Sequence, residues 1–120
     1  RDANLETVFI SELRLAANSF TDLSPLRGLS TLEYLELTGN DITDITPLSG
    51  LTNLTQLDLR FNPDLTTIQA LFENPGIGAG DIVELRHTNV SCTDQARLAE
   101  KGVEVRTELF SSCATATRQR

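Results

Sequence analysis

The sequence predicts an α/β solenoid, a short stack of coils in which each coil has one brief strand and a return half of tight turns. Two observations carry this. The phrase Leu, any residue, Leu, two further residues, Asn occurs at 13–18, 35–40 and 57–62, so its first leucine recurs every 22 residues. The return halves repeat as well: Phe20, Leu23, Leu26, Leu29 and Leu32 are followed by Ile42, Ile45, Leu48, Leu51 and Leu54. A fixed period in the twenties describes small units that bury their apolar side only against the next unit. Such a stack offers a surface for binding and no deep pocket for catalysis.

In the first strand phrase, Leu13 and Leu15 point one way and Arg14 and Ala16 the other, as a strand with one buried face requires. Asn18, Asn40 and Asn62 end the three strands. A side-chain amide both donates and accepts, so stacked coils are expected to align these residues into a buried ladder. The return halves step by three, which suits 3₁₀ turns better than an α-helix. Pro25 and Pro47 start those turns, and Gly28 and Gly50 close them.

The third coil departs from the pattern. Leu65, Ile68 and Leu71 keep the three-residue step, and a glycine-rich loop at 73–81 then delays the next strand, Val83-Glu84-Leu85. Thr88 stands where asparagine is expected, and its hydroxyl replaces only part of the amide's bonding. A short amphipathic helix is expected over 94–100 with Ala96, Leu98 and Ala99 inward, capped by Thr93 or Ser91 and stopped by Gly102. Val103-Glu104-Val105 makes a final strand. Helix and strand together are expected to cover the open end of the stack. The chain divides into an N-terminal partial repeat or cap (1–12), repeats with an enlarged third member (13–82), the last repeat and C-terminal cap (83–113) and a polar tail (114–120).

These phrases resemble the leucine-rich repeat family in its bacterial, 22-residue, internalin-like variety. The residues that carry the resemblance are Leu35-Glu36-Leu37-Thr38-Gly39-Asn40-Asp41-Ile42 and Asp22-Leu23-Ser24-Pro25-Leu26-Arg27-Gly28-Leu29. The stretch 73–81, with Cys92 and Lys101-Gly102-Val103-Glu104-Val105, is similar to C-terminal caps of bacterial members. The resemblance implies a short arc with parallel strands on its concave side, 3₁₀ turns on its convex side, and binding of another protein on the concave face. It also implies a bacterial protein that is secreted or held at the cell surface.

Composition narrows the partner. The formal net charge is −7, which disfavours nucleic acid and anionic membranes. No apolar run approaches the roughly 20 residues that cross a bilayer, so no membrane insertion is expected. Arg1 opens into polar sequence, as a processed secreted chain does. Cys92 and Cys113 are the only cysteines. Their spacing is wrong for a metal site, and they are read as one disulfide, with two free, partly buried thiols as the alternative.

Aligned phrases place Arg14, Glu36, Asp58, Glu84 and Glu104 in one outward column. Ala16, Thr38, Arg60, Arg86 and Arg106 fall in the next, and Ala17, Gly39, Phe61, His87 and Thr107 in a third. The expected partner-binding patch is Tyr34, Glu36, Asp58, Arg60, Phe61, Glu84, Arg86 and His87, with Phe61 as its aromatic anchor. The competing reading is a self-neutralised solvent face, with Phe61 packed on the stem of Arg86 or against a neighbouring loop. No catalytic residue is expected, since His87 on an open sheet has no nucleophile beside it. Asp22 and Asp44 read as turn-capping carboxylates rather than calcium ligands. No metal and no cofactor is expected. The functional expectation is a monomeric protein-binding module. The alternative is a structural spacer within a larger surface protein.

Overall fold

The computed structural model describes residues 10–108. Five short strands, β1 (Glu12–Arg14), β2 (Tyr34–Glu36), β3 (Gln56–Asp58), β4 (Ile82–Glu84) and β5 (Glu104–Arg106), form one parallel sheet in chain order. Leu13, Leu35, Leu57, Val83 and Val105 share one rung. The connections carry 3₁₀ turns at Ser24–Leu26 and Thr46–Gly50, then helices α1 (Gln69–Glu73) and α2 (Cys92–Glu100). Pro25 and Pro47 lie in the first turn of their 3₁₀ segments, where a missing N–H costs nothing.

Stacking explains the burial. Leu35, Leu37, Leu57 and Leu59 have a coil on both sides and are fully buried. Leu13, Leu15 and Leu29 of the first coil and Val105 of the last are only partly so. Each buried leucine contributes about 1.5–3 kcal/mol relative to an exposed one. Ile42, Ile45, Leu48, Leu51 and Leu54 fill the return side of the same core.

The asparagine ladder begins one coil later than expected. Asn62 is fully buried; its Nδ2 donates to the carbonyls of Leu37 (3.0 Å) and Leu59 (2.9 Å), and its Oδ1 accepts from the Ile42 N–H (3.1 Å). Asn40 likewise donates to Leu15 and Leu37 and accepts from the N–H groups of Asn18 and Phe20. Asn18 is exposed and donates only to the Ala16 carbonyl, because none of the described residues forms a coil before it. Thr88 keeps one rung, its hydroxyl donating to the Leu85 carbonyl at 2.7 Å.

The third and fourth return halves also differ from expectation. Gln69-Ala70-Leu71-Phe72-Glu73 has good helix formers and no proline, so it closes into α1 rather than a 3₁₀ turn. The second helix starts at Cys92, two residues early, because Ser91 caps it by accepting from the Asp94 N–H. Only Leu98 of α2 is buried; Ala96 and Ala99 face outward. The expected pairing of Cys92 involves Cys113, which lies outside the described residues.

Beyond α1, Asn74 is fully buried and donates to the carbonyls of Leu48 (2.9 Å) and Leu51 (3.0 Å). Lys101 reaches back to the carbonyls of Leu71 and Asn74. Together these bonds moor the glycine-rich loop to both the second coil and the cap.

Candidate functional site

The solvent side of the sheet is built from one small device used four times. Glu12-Leu13-Arg14, Asp58-Leu59-Arg60, Glu84-Leu85-Arg86 and Glu104-Val105-Arg106 each put an acid and an arginine two residues apart. Residues i and i+2 of a strand share a face, so each guanidinium folds back onto its own acid. Arg14 Nε lies 2.7 Å from Glu12, and Arg106 Nε 2.8 Å from Glu104. Arg60 holds Asp58 with two nitrogens, Nε at 2.9 Å and Nη2 at 2.7 Å, and Arg86 holds Glu84 at 2.6 Å.

Asp58 and Glu84 were expected in the outward column, yet both are buried, at 4% and 7% exposure. Both lie on inner strands and pair with the guanidinium groups of Arg60 and Arg86. A partner approaching this face meets guanidinium groups with carboxylates beneath.

Burial alone pushes the Asp58 carboxyl up, but the Arg60 guanidinium, its N–H and its charge outweigh this and hold Asp58 below its ordinary value. A depressed native value stabilises the fold at pH above the unfolded value of about 3.9, and that contribution is lost as pH falls through the native one. Asp58→Asn should therefore weaken the fold near neutrality and flatten the decline in stability below about pH 4. Urea unfolding at stepped pH checks this; parallel pH profiles for the two proteins would contradict it.

The last coil sits in a register the aligned phrases did not suggest. Val105, not Val103, is level with Val83, so Arg106 rather than Glu104 stands opposite Glu84. Val103 is buried where the chain leaves α2 and is spent on the cap. The central column therefore reads Arg14, Glu36, Asp58, Glu84, Arg106, three acids with an arginine at each end. Arg14 Nη1 lies 3.9 Å from Glu36 and Arg106 Nη1 3.4 Å from Glu84.

Phe61 and His87 stack on each other, with centroids 4.4 Å apart and planes at 18°. The ring thus packs on the turn of the neighbouring coil, one of the two placements the competing reading offered. Both residues have positive φ, +61° and +62°, as do Ala17 and Gly39 at the same place in earlier coils. The chain turns inward there, and glycine is the residue such a turn favours. Phe61 is nevertheless 50% exposed.

Tyr34 does not join this pair. It is level with Gln56, five residues before Phe61 along the strand direction, a separation of about 16 Å. It lies instead under the Arg14 guanidinium, 4.7 Å from the ring centroid. Of the expected patch, Tyr34 thus stands apart beside Arg14, while Glu36 is level with Asp58 and continuous with Arg60, Phe61, Glu84, Arg86 and His87. The sequence columns include Arg14 and Arg106 but leave them out of the expected patch, and they miss Glu12 altogether, as well as Glu108, which contacts His87. The fourfold acid–apolar–Arg triplet was the signal for the first three.

Asp22 and Asp44 cap turns, each accepting from the N–H and hydroxyl two residues on, Ser24 and Thr46. These hydroxyl and N–H donors hold both carboxyls below their ordinary values. Among the described residues no three metal-ligating side chains gather, and no helix is long and apolar enough to cross a membrane.

Residues 30–73 match the family model described as leucine-rich repeats (2 copies). No curated protein matches the chain. Among solved structures, an internalin C2 from Listeria monocytogenes str. 4b F2365 is 31% identical with a TM-score of 0.63, over 80% of this chain and 41% of that one. A second internalin (inlF) from the same strain is 24% identical with a TM-score of 0.62, over 81% and 29% respectively, a likeness of fold alone. The chain thus spans less than half the length of either. The fold suggests a protein-interaction module, of a family whose members are typically not enzymes. The parallel register, the asparagine rungs and these matches together give the chain a leucine-rich repeat fold similar to that of the bacterial internalins.

Proposed function

We propose that this chain is a protein-binding module that recognises a partner protein through the concave, sheet-bearing face, centred on Phe61 and His87. The observation that carries the reading is the exposed stack. A bulky residue in the left-handed region costs about 1–2 kcal/mol, and glycine at the same place in the preceding coil avoids that cost. The ring is also half in water, where it contributes little to the core. A strained, exposed aromatic pair beside guanidinium groups has the composition of an interface centre. The module acts as a monomer, without a cofactor or metal, and is not an enzyme. It works outside the bacterial cell, secreted or on the surface, with a disulfide between Cys92 and Cys113. The absence of any free thiol among the described residues supports that disulfide.

Phe61→Ala should weaken a captured partner by at least tenfold, about 1.4 kcal/mol or more, as truncation of an interface anchor does. It should lower fold stability by only about 1 kcal/mol, the worth of the lost ring stack. The spacer reading has one observation in its favour: every arginine of the described sheet face already has an acid of its own. Affinity measured for wild type, Phe61→Ala and Arg86→Ala decides between them. Unchanged affinity in both variants would count for the spacer.

A further inference from the structure

Glu108 stands where the ladder of the sheet should continue and does not. In the first three coils the N–H of the left-handed residue donates to a backbone carbonyl of the next coil. Ala17 donates to Thr38 (2.8 Å), Gly39 to Arg60 (3.0 Å) and Phe61 to Arg86 (3.1 Å). By the β4–β5 register, the matching acceptor for His87 is the carbonyl of residue 108. The His87 N–H instead donates to the carboxylate of that residue, Glu108 Oε2, at 2.6 Å. The same oxygen lies 3.4 Å from His87 Nδ1.

One carboxylate therefore meets both the main chain and the ring of the residue on which Phe61 stacks. We propose that Glu108 is a positioning residue of the recognition surface: its carboxylate takes the place of its own backbone carbonyl as acceptor for the His87 N–H, and sets the His87 imidazole against Phe61. The proposal deepens the protein-binding reading and rests on it for its functional meaning; the positioning itself is measurable in the free protein. A charged acceptor is stronger than the carbonyl it replaces. It also grips the ring, which a carbonyl in the ladder position of the other coils does not do. The neighbouring charges do not compete for His87, since Arg60 and Arg86 are turned to Asp58 and Glu84, and Arg106 to Glu84 and Glu104. Backbone N–H hydrogen bonding holds the Glu108 carboxyl below its ordinary value against the opposing effect of burial.

The test uses the full chain, isotope-labelled, and reads the His87 amide and imidazole by NMR in wild type, Glu108→Ala and Glu108→Gln. Glu108→Ala should speed exchange of the His87 amide about tenfold and remove the shift that the Phe61 ring current imposes on the imidazole protons. Amides of β2 and β3 should keep their rates. Glu108→Gln, whose amide oxygen still accepts from the N–H, should restore most of the amide protection. The proposal is overturned if Glu108→Ala leaves the His87 signals where they were. It is equally overturned if Glu108→Ala accelerates exchange across the whole sheet, or if Glu108→Gln behaves as Glu108→Ala. Loss of partner affinity in Phe61→Ala with unmoved His87 signals in Glu108→Ala would overturn the positioning alone; the converse pattern would overturn the binding reading alone.

Discussion

Asn62→Ala should remove about 4 kcal/mol of stability, a large share of the usual margin of about 5–15 kcal/mol. The substitution leaves the Leu59 carbonyl and the Ile42 N–H without their partner in a region closed to water, and removes one of the two amides that donate to the Leu37 carbonyl, which Asn40 still serves. Each orphaned buried group costs about 1–3 kcal/mol. No neighbour replaces the amide, because Asn62 spans two coils and reaches groups of both. The same argument predicts a gradient along the ladder. Thr88→Ala loses one bond to Leu85 and should cost about 1 kcal/mol. Asn18→Ala, at the exposed end, should cost less than about 0.5 kcal/mol. Urea midpoints of the three variants measure the gradient; equal losses at 18 and 62 would refute the ladder as the source of stability.

Gly76→Ala should cost about 3 kcal/mol, a large effect for one added methyl group. A Cβ at this position would meet Thr52 backbone atoms, its carbonyl oxygen at 1.9 Å and its carbonyl carbon at 2.6 Å. The loop has no easy retreat. The Gly76 N–H is bonded to the Asn74 side chain at 2.8 Å, and Asn74 is tied to Leu48 and Leu51. Moving Gly76 outward would strain those bonds or break them. Gly50→Ala is the control, since nothing lies within 4 Å of its would-be Cβ and its φ is ordinary. That change should be neutral or stabilise by up to about 1 kcal/mol. Thermal or urea unfolding of both variants tests the contrast, and similar stabilities would mean that the close approach at Thr52 does not constrain the loop.

The stack was legible because the leucines at 13, 35 and 57 and the prolines at 25 and 47 recur at one interval. Periodicity reports which residues are level only where the interval holds. The loop at 73–81 breaks it, and an alignment on Val103 places β5 two residues out of step. The distance from Val83 to Val105 is again 22, and that recurrence was the available signal. The α1 helix was hidden for a related reason: Ile68 and Leu71 keep the three-residue step whichever helix forms, and the missing proline decided the outcome.

Outwardness was legible and exposure was not. Alternation places Asp58 and Glu84 on the sheet face, but they are buried and paired with the guanidinium groups two residues on. Phe61 was found by its chemistry alone. Its stacking on His87 requires knowing that both turn through positive φ, and the sequence shows this only indirectly, through Gly39 one coil earlier. Glu108 was invisible because its role depends on where the chain leaves the sheet.

A photoreactive residue placed at position 61, with a second variant carrying it at Arg27 on the opposite, turn-bearing side, tests the central claim most directly. The account predicts that one defined protein is captured through position 61 and not through position 27, and that unlabelled wild-type protein competes for it. Equal capture from both positions, or capture through position 27 alone, would contradict recognition by the sheet face.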